Sequence, residues 1–441
     1  MTSLSLGYFG DARREQAGQF LLERLLDSGG QGISVRRLGE ERAGEMCITR
    51  FLHNKAVTVR EMTETDTART AERCAGQPVI VIQDTTVVRS DGGGGLYAHV
   101  AIAVHAVTGA LLGLVYVKFL TRTHGERKTR TSRPIRDKES FRWLEGAEAA
   151  KRVCARASSI TVVADRESDI YEAFAFLPDG VDLLVRVAQD RTLDDKRSLF
   201  ACTAARHRAG HTTVQVPSKP GQAARTATLG VRFLGVKIKR PRGVLRRTAP
   251  KTITATMVDL REVQQPLGLE PLHWRLLTTK QVTHLHEALE IADLYRRRWG
   301  IEQLFRTMKT QGFDIEALRT VGDAPRTKLV TATLIAALTI QQLLHARDAA
   351  LAGEPLQPLT DLFPPEDHAL LHRLNRKVEG ATARQKNPWP RDSLVYATWI
   401  CGRLGGWTGY YRQPGPVVLL RGWTRVQDYK NAMGLLRDQD V

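Results

Sequence analysis

Cysteine is scarce and unpatterned in this chain. Five residues, Cys47, Cys74, Cys154, Cys202 and Cys401, are scattered over 441 positions. No CxxC pair and no Cys/His metal spacing occurs, which speaks against a disulfide framework and against structural zinc. Reduced core thiols of a cytoplasmic protein are the expectation. Long hydrophobic runs are lacking too. The most apolar segment, "LVTATLIAALTIQQLL" (329–344), falls short of about 18 residues and carries Thr and Gln, so it reads as a buried core helix rather than a membrane span. "MTSLSLGYFGDARREQ" at the N-terminus has no basic region followed by an apolar run, so no signal peptide is expected. Acid is in deficit: 47 Asp and Glu stand against 65 Lys and Arg, a net charge of +18. That excess favours a polyanionic partner, nucleic acid or an acidic membrane surface. With 42% hydrophobic and 25% charged residues, the composition is that of a globular rather than a disordered chain.

Apolar spacing in "ARREQAGQFLLERLLDSG" and "MCITRFLHNKAVTVREMTETDTARTAERCAG" predicts a helical head that ends its first helix at Gly29-Gly30. At Pro78 the pattern changes to "PVIVIQDTTVV", a β-branched run suited to a strand buried on both faces. The tetraglycine after it opens a hairpin. It is no phosphate loop, because no Gly-Lys-Ser/Thr follows. A polar loop (121–140) carries seven Lys or Arg residues. Then come a helix through "FRWLEGAEAAKRVCARA", the strand "SITVVAD", a helix from "RESDIYEAFAF" and the strand "VDLLVRV", which together describe an α/β layer. Residues 191–272 hold short β-prone runs among basic turns, an all-β insertion, and after "LHWRLLTT" the chain returns to helices.

Two carboxylates stand out. Asp84 lies inside a strand, where an acid is costly unless paired, hydrogen-bonded or metal-bound. Asp165 follows the strand "TVVA", where a helix N-cap is the plainer role. Further on, "YRRRWGIEQLFRTMK" places Tyr295, Arg298, Glu302 and Lys309 at offsets 0, 3, 7 and 14, which on one helix return to one face. Two aspartates at strand ends and a glutamate on a later helix can converge on two divalent cations, which take oxygen ligands and drive phosphoryl transfer. Arg298 and Lys309 would hold phosphates there, with Tyr295 hydrogen-bonding one.

"IQDTT", "VADRESD" and the Tyr-x2-Arg-x3-Glu-x6-Lys spacing resemble the catalytic segments of bacterial cut-and-paste DDE transposases of insertion-sequence family four. The likeness extends through "FGDARR", "TRFLHNKAV", "DKESFRWL" and "WRLLTT", in order, over roughly residues 9 to 310. It implies a ribonuclease H-like catalytic core with the all-β insertion, a helical N-terminal DNA-binding domain and a mostly helical C-terminal, possibly dimerising, domain. The expected divisions are 1–75, 76–190 with 273–350 as the two parts of the core, 191–272, and 351–441.

The resemblance also implies the roles of particular residues. Asp84, Asp165 and Glu302 would form the catalytic and metal-binding triad, with two Mg²⁺ ions that Mn²⁺ can replace. Tyr295, Arg298 and Lys309 would grip phosphates, and Arg186 would stand beside the site. Trp274, otherwise a core Trp on a strand, would stack on a flipped base. Arg13, Arg14 and Arg50 fall on the DNA-binding segments. Ala17 stands where the family has a basic residue, so the DNA sequence read is not transferable. The implied partners are double-stranded DNA (terminal inverted repeats and target) and a second copy of the chain in a homodimeric synaptic complex, with no membrane. The implied setting is the bacterial cytoplasm, at the nucleoid. The implied chemistry is nicking, hairpin formation at the transposon end, hairpin opening and strand transfer. Rival readings are a ribonuclease H-like structure-specific nuclease without strand transfer, and a non-catalytic DNA-binding transposition inhibitor.

Overall fold

The structure, a computed structural model, describes residues 5–27, 33–91, 94–123, 135–216, 223–242, 249–264, 268, 270–310, 313–318 and 322–437. The Gly29-Gly30 stop, the first two glycines of the tetraglycine, most of the polar loop (124–134) and residues 243–248 of the basic stretch lie outside the described residues.

In chain order the elements begin with α1 (Ala12–Asp27), α2 (Val35–Gly39), α3 (Arg42–His53), α4 (Val59–Cys74), β1 (Pro78–Asp91), β2 (Gly94–His105) and β3 (Leu111–Thr123). Next are α5 (Arg142–Val153), β4 (Ser159–Ala164), α6 (Tyr171–Ala175), β5 (Asp182–Arg186), α7 (Leu199–Ala204), β6 (Gly210–Val216), β7 (Arg225–Lys239), β8 (Thr252–Glu262) and β9 (His273–Thr278). The chain ends with α8 (Leu285–Arg296), α9 (Trp299–Lys309), α10 (Asp323–Leu351), α11 (Pro365–Val378), α12 (Leu394–Leu404) and α13 (Pro416–Arg437). The protein is therefore mixed α/β with a large sheet.

Two compact units divide it. One gathers Met1–Gln77, Thr85–Thr123 and Gly300–Val441; the other gathers Pro78–Asp84 and His124–Trp299. β1 passes from one unit to the other after Asp84, and α9 does so after Trp299.

The first unit is built on α10. Its 29 residues are long and apolar enough to cross a membrane, yet 94% of its most apolar window is buried by packing against α1, α3, α4, α12, α13 and β3. Pro325 sits in its first turn, where a missing N–H costs nothing. Polar groups along it are spent on neighbours: Lys328 Nζ donates to the carbonyls of Leu52 and Asn54, 2.8 Å each, closing the end of α3. Gln342 Nε2 donates to Leu111 O at 3.2 Å on β3. The helix thus outruns the apolar stretch that marks it in the sequence, because packed partners satisfy its polar ends.

His345, also on α10, donates Nδ1–H to Gly109 O at 3.0 Å, and burial pushes its pKa below the ordinary imidazole value. The unfolded chain takes up a proton near pH 6.5. The folded chain resists until lower pH, so the unfolded state binds more protons in that interval and stability falls as pH drops through it. The His345→Gln protein is expected to lose this part of the acid-side slope, which urea midpoints of parent and variant from about pH 7 to 5 would show.

In the second unit seven strands pair in the order β1-β4-β5-β9-β8-β7-β6. β1, β4 and β5 run parallel, and β9, β8, β7 and β6 continue antiparallel. The strands of the β-rich stretch thus extend the same sheet, and β9 lies between β5 and β8. β1 and β4 carry near-continuous β-branched runs because parallel strands are covered on both faces. Against them packs α5, where a Cβ at Gly146 would overlap the side-chain amide of Gln83. The helix expected from "RESDIYEAFAF" shortens to a 3₁₀ turn (Arg166–Ser168) and the five residues of α6. Ser168 Oγ bonds back to Asp165 O at 2.7 Å, a local bond that competes with helical pairing.

Candidate active site

The parallel register of β1 and β4 sets the site. Its last pair is Gln83↔Ala164, so the next residues along the two strands are Asp84 and Asp165. Two carboxylates therefore follow the last parallel pair, Asp84 within β1 and Asp165 just past the C-terminal end of β4, with neighbouring strands about 5 Å apart at the backbone. That end of a parallel sheet is where open α/β folds bind ligands. Like charges on adjacent strands repel, and the second unit supplies a partner for each. Arg298 Nη1 donates to Asp84 Oδ2 at 3.1 Å, and Tyr295 OH donates to Asp165 Oδ1 at 3.2 Å. Asp165 heads the 3₁₀ turn without a side-chain cap bond, so its carboxylate serves Tyr295 rather than the cap role.

Tyr295 is the hub. Its ring lies 6.4 Å from that of Trp274 and 5.9 Å from the Arg298 guanidinium. Burial, and then the Asp165 charge, raise its pKa, while Arg298 and Arg186 oppose the shift. The phenol therefore stays protonated and remains a donor at neutral pH. Trp274, on β9 opposite Leu260, is half-buried, and Arg186 ends β5 with Nη2 3.4 Å from His273 O. The second unit thus brings together Asp84, Asp165, Tyr295, Arg298, Trp274 and Arg186.

The single helix expected across residues 295–309 is interrupted. α8 stops at Arg296, Arg297 and Arg298 make a turn, and α9 begins at Trp299. The N–H of Arg298 reaches back only three residues, to Tyr295 O at 3.0 Å, which is the tighter 3₁₀ pattern. Pairing with Asp84 sets the direction of Arg298, and helical periodicity does not. α8 itself is anchored at its start by Glu287, whose carboxylate accepts from the N–H groups of Thr283 (2.6 Å) and His284 (2.9 Å). Those bonds, the one to Thr283 first, hold its pKa down at about 2.

The remaining expected residues belong to the first unit. Glu302 is in the first turn of α9, half-buried; Lys309 is in its last turn, 2.7 Å from Glu316. Arg13 and Arg50 are exposed, whereas Arg14 Nη1 bonds Phe9 O at 2.6 Å and shapes the turn before α1.

Two clamps escaped the sequence reading. Glu167 pairs with the buried Arg142 at 2.8 Å, and Asp169, wholly buried, pairs with Arg191. Asp169 also accepts from the N–H groups of Ala188 (2.8 Å) and Gln189 (3.2 Å), pinning the chain just after Arg186. Each acid of "DRESD" thus has its own partner; the signal was three acids in five residues, more than one cap can use.

Aspartate oxygens are hard donors of the kind magnesium takes, and magnesium commonly uses one or two carboxylates, filling its shell with water and phosphate. Among the described residues no group of three or more His, Cys, Asp or Glu side chains is gathered for a metal, so the second unit's own contribution is the carboxylate pair.

A family described as "Transposase DDE domain" matches residues 76–339, more than half of the chain. Among solved structures, the chain is similar to one titled a piggyBac transposase synaptic complex with hairpin DNA, at 10% identity and a TM-score of 0.37, over 79% of this chain and 68% of that one. A likeness of that size carries no structural inference.

Proposed function

The chain belongs to the transposase DDE domain family, and from that membership we propose that it is a cut-and-paste DNA transposase of the insertion-sequence family four kind, with a ribonuclease H-like core. The observation that supports it most is the β1–β4 register, whose last pair, Gln83↔Ala164, immediately precedes Asp84 and Asp165. Glu302, four residues beyond the arginine that bonds Asp84, is the proposed third carboxylate.

Divalent ions held by these carboxylates, Mg²⁺ with Mn²⁺ as substitute, would supply an activated water or hydroxyl and stabilise the leaving oxygen. The rest falls to the chain's own side chains. Arg298, which bonds Asp84, is the proposed cation for a DNA phosphate. Tyr295 keeps its proton and donates to a phosphate oxygen, with Lys309 and Arg186 as further cations. Trp274 offers a flat face to a base extruded at the transposon end. Arg13, Arg14 and Arg50 are the proposed readers of the terminal repeats. The reaction course is a nick, attack of the freed 3′-hydroxyl on the opposite strand to leave a hairpin, hairpin opening and strand transfer. It would run in a homodimeric synaptic complex at the bacterial nucleoid.

The test incubates the protein with Mg²⁺ and labelled DNA carrying the ends that flank its gene, beside a Glu302→Ala protein, on a denaturing gel. Hairpin ends formed by the parent and lost in the variant are expected. Nicks alone would leave a nuclease, and binding without cleavage a DNA-binding inhibitor.

A further inference from the structure

Within the first unit, the stretch around α12 encloses a cleft of about 190 Å³ whose walls include Trp389, Trp399 and Trp407 and whose cations are Arg347, Arg384 and Lys386. Among the described residues no carboxylate lines it, although Lys386 reaches Glu379 at 3.5 Å and Arg347 reaches Asp348 at 2.6 Å outside its wall. Trp399 is a core residue, 5% exposed, and meets Trp407 edge-on at 6.5 Å. Trp407 is held in place by its own N–H, which donates to the carbonyls of Tyr411 (3.0 Å) and Arg412 (2.7 Å). Trp389 and Trp407 stay partly open, and beside them Leu351 is 52% and Tyr411 81% exposed. Ordinary core packing accounts for Trp399 and leaves the open indoles unexplained.

A pocket with flat apolar walls, basic side chains and no acid selects a ligand that has a flat face and a negative charge. Nucleotides have both, whereas a lipid headgroup has the charge without the ring. A cleft of about 190 Å³ suits a single base, which points to an unpaired strand. Rigid indoles beside cations are also the general means by which proteins hold single strands. We propose that this cleft binds an unpaired nucleotide of single-stranded DNA, its base stacked on Trp389 and Trp407 and its phosphate on Arg384 and Lys386. The cleft shares no residue with the carboxylate pair, and its argument does not rest on the catalytic reading.

The experiment titrates a short fluorescent oligothymidine into the full-length protein, followed by anisotropy, with Trp389→Ala, Trp389→Phe and the surface variant Arg384→Ala alongside. A parallel oligothymidine carrying 5-iododeoxyuridine is photocrosslinked and the adduct mapped. Trp389→Ala is expected to raise Kd by roughly 5- to 150-fold, and Trp389→Phe to restore most of the affinity. Arg384→Ala should lower the slope of log K against log salt by about 0.7. Adducts should fall on Trp389 or Trp407. Unchanged affinity in both alanine variants, adducts only elsewhere, or no binding by the parent would each overturn the proposal. A change confined to sedimentation behaviour would overturn it in favour of an interface between copies. Trp389→Ala should lose strand affinity by the same factor in an Asp84→Asn background as in the parent, so loss of DNA cleavage and loss of this site are separately visible.

Discussion

Asp84→Asn and Asp165→Asn proteins are each expected to cleave transposon-end DNA about 10³-fold more slowly than the parent, a loss of about 4 kcal/mol of transition-state stabilisation. The amide keeps the size of the carboxylate and one of its acceptor oxygens, so Arg298 retains a partner on β1 and Tyr295 one just after β4. What disappears is the negative charge that makes a hard metal ligand. Folding should survive, since each change also removes one of two like charges on adjacent strands. DNA affinity should hold or rise, because a negative charge is gone from the surface proposed to meet phosphate. Single-turnover cleavage, thermal unfolding and DNA binding measured together would check this. Retention of cleavage within tenfold in either variant would sink the carboxylate assignment.

The largest expected effect on stability lies at Asp169. Its carboxylate is wholly buried, bonded by Arg191 and by the N–H groups of Ala188 and Gln189. Asp169→Ala leaves an uncompensated guanidinium, itself only 6% exposed, and two orphaned donors. Breaking a buried pair from one side costs about 3–5 kcal/mol. Asp169→Asn keeps an acceptor for the backbone and should cost less. Urea unfolding is the measurement; a loss under about 1 kcal/mol in the alanine variant would mean that the clamp contributes little. Cleavage should fall as well, because this clamp fixes the chain at Arg186.

Part of this was legible in the sequence. The β-branched run around Asp84 announced a doubly covered strand, and an acid inside it announced a partner, which Arg298 supplies, because burial makes such a residue expensive. α10 showed itself by composition alone. What could not be read depends on contacts distant in the chain. Helical spacing carries Tyr295, Arg298, Glu302 and Lys309 onto one face, but it contains no term for the pull of Asp84, 214 residues earlier, on Arg298. The register that pairs Gln83 with Ala164, just before Asp84 and Asp165, joins residues 81 apart (164 − 83) and has no local signature. Asp169 looked like one more polar residue after a strand until its partner Arg191 was known.

One long-range bond has a consequence in time. Thr424 Oγ1 on α13 donates to Leu26 O at 2.9 Å on α1, across 398 residues. A ribosome adds about 5–20 residues per second, so α1 leaves it roughly 20–80 s before the helix that covers it exists. For that interval the apolar residues α1 turns toward α13 have no native cover, and they fall to water, chaperones or other nascent segments. A chain cut short before residue 416 would carry that bare surface permanently, with aggregation as its natural fate.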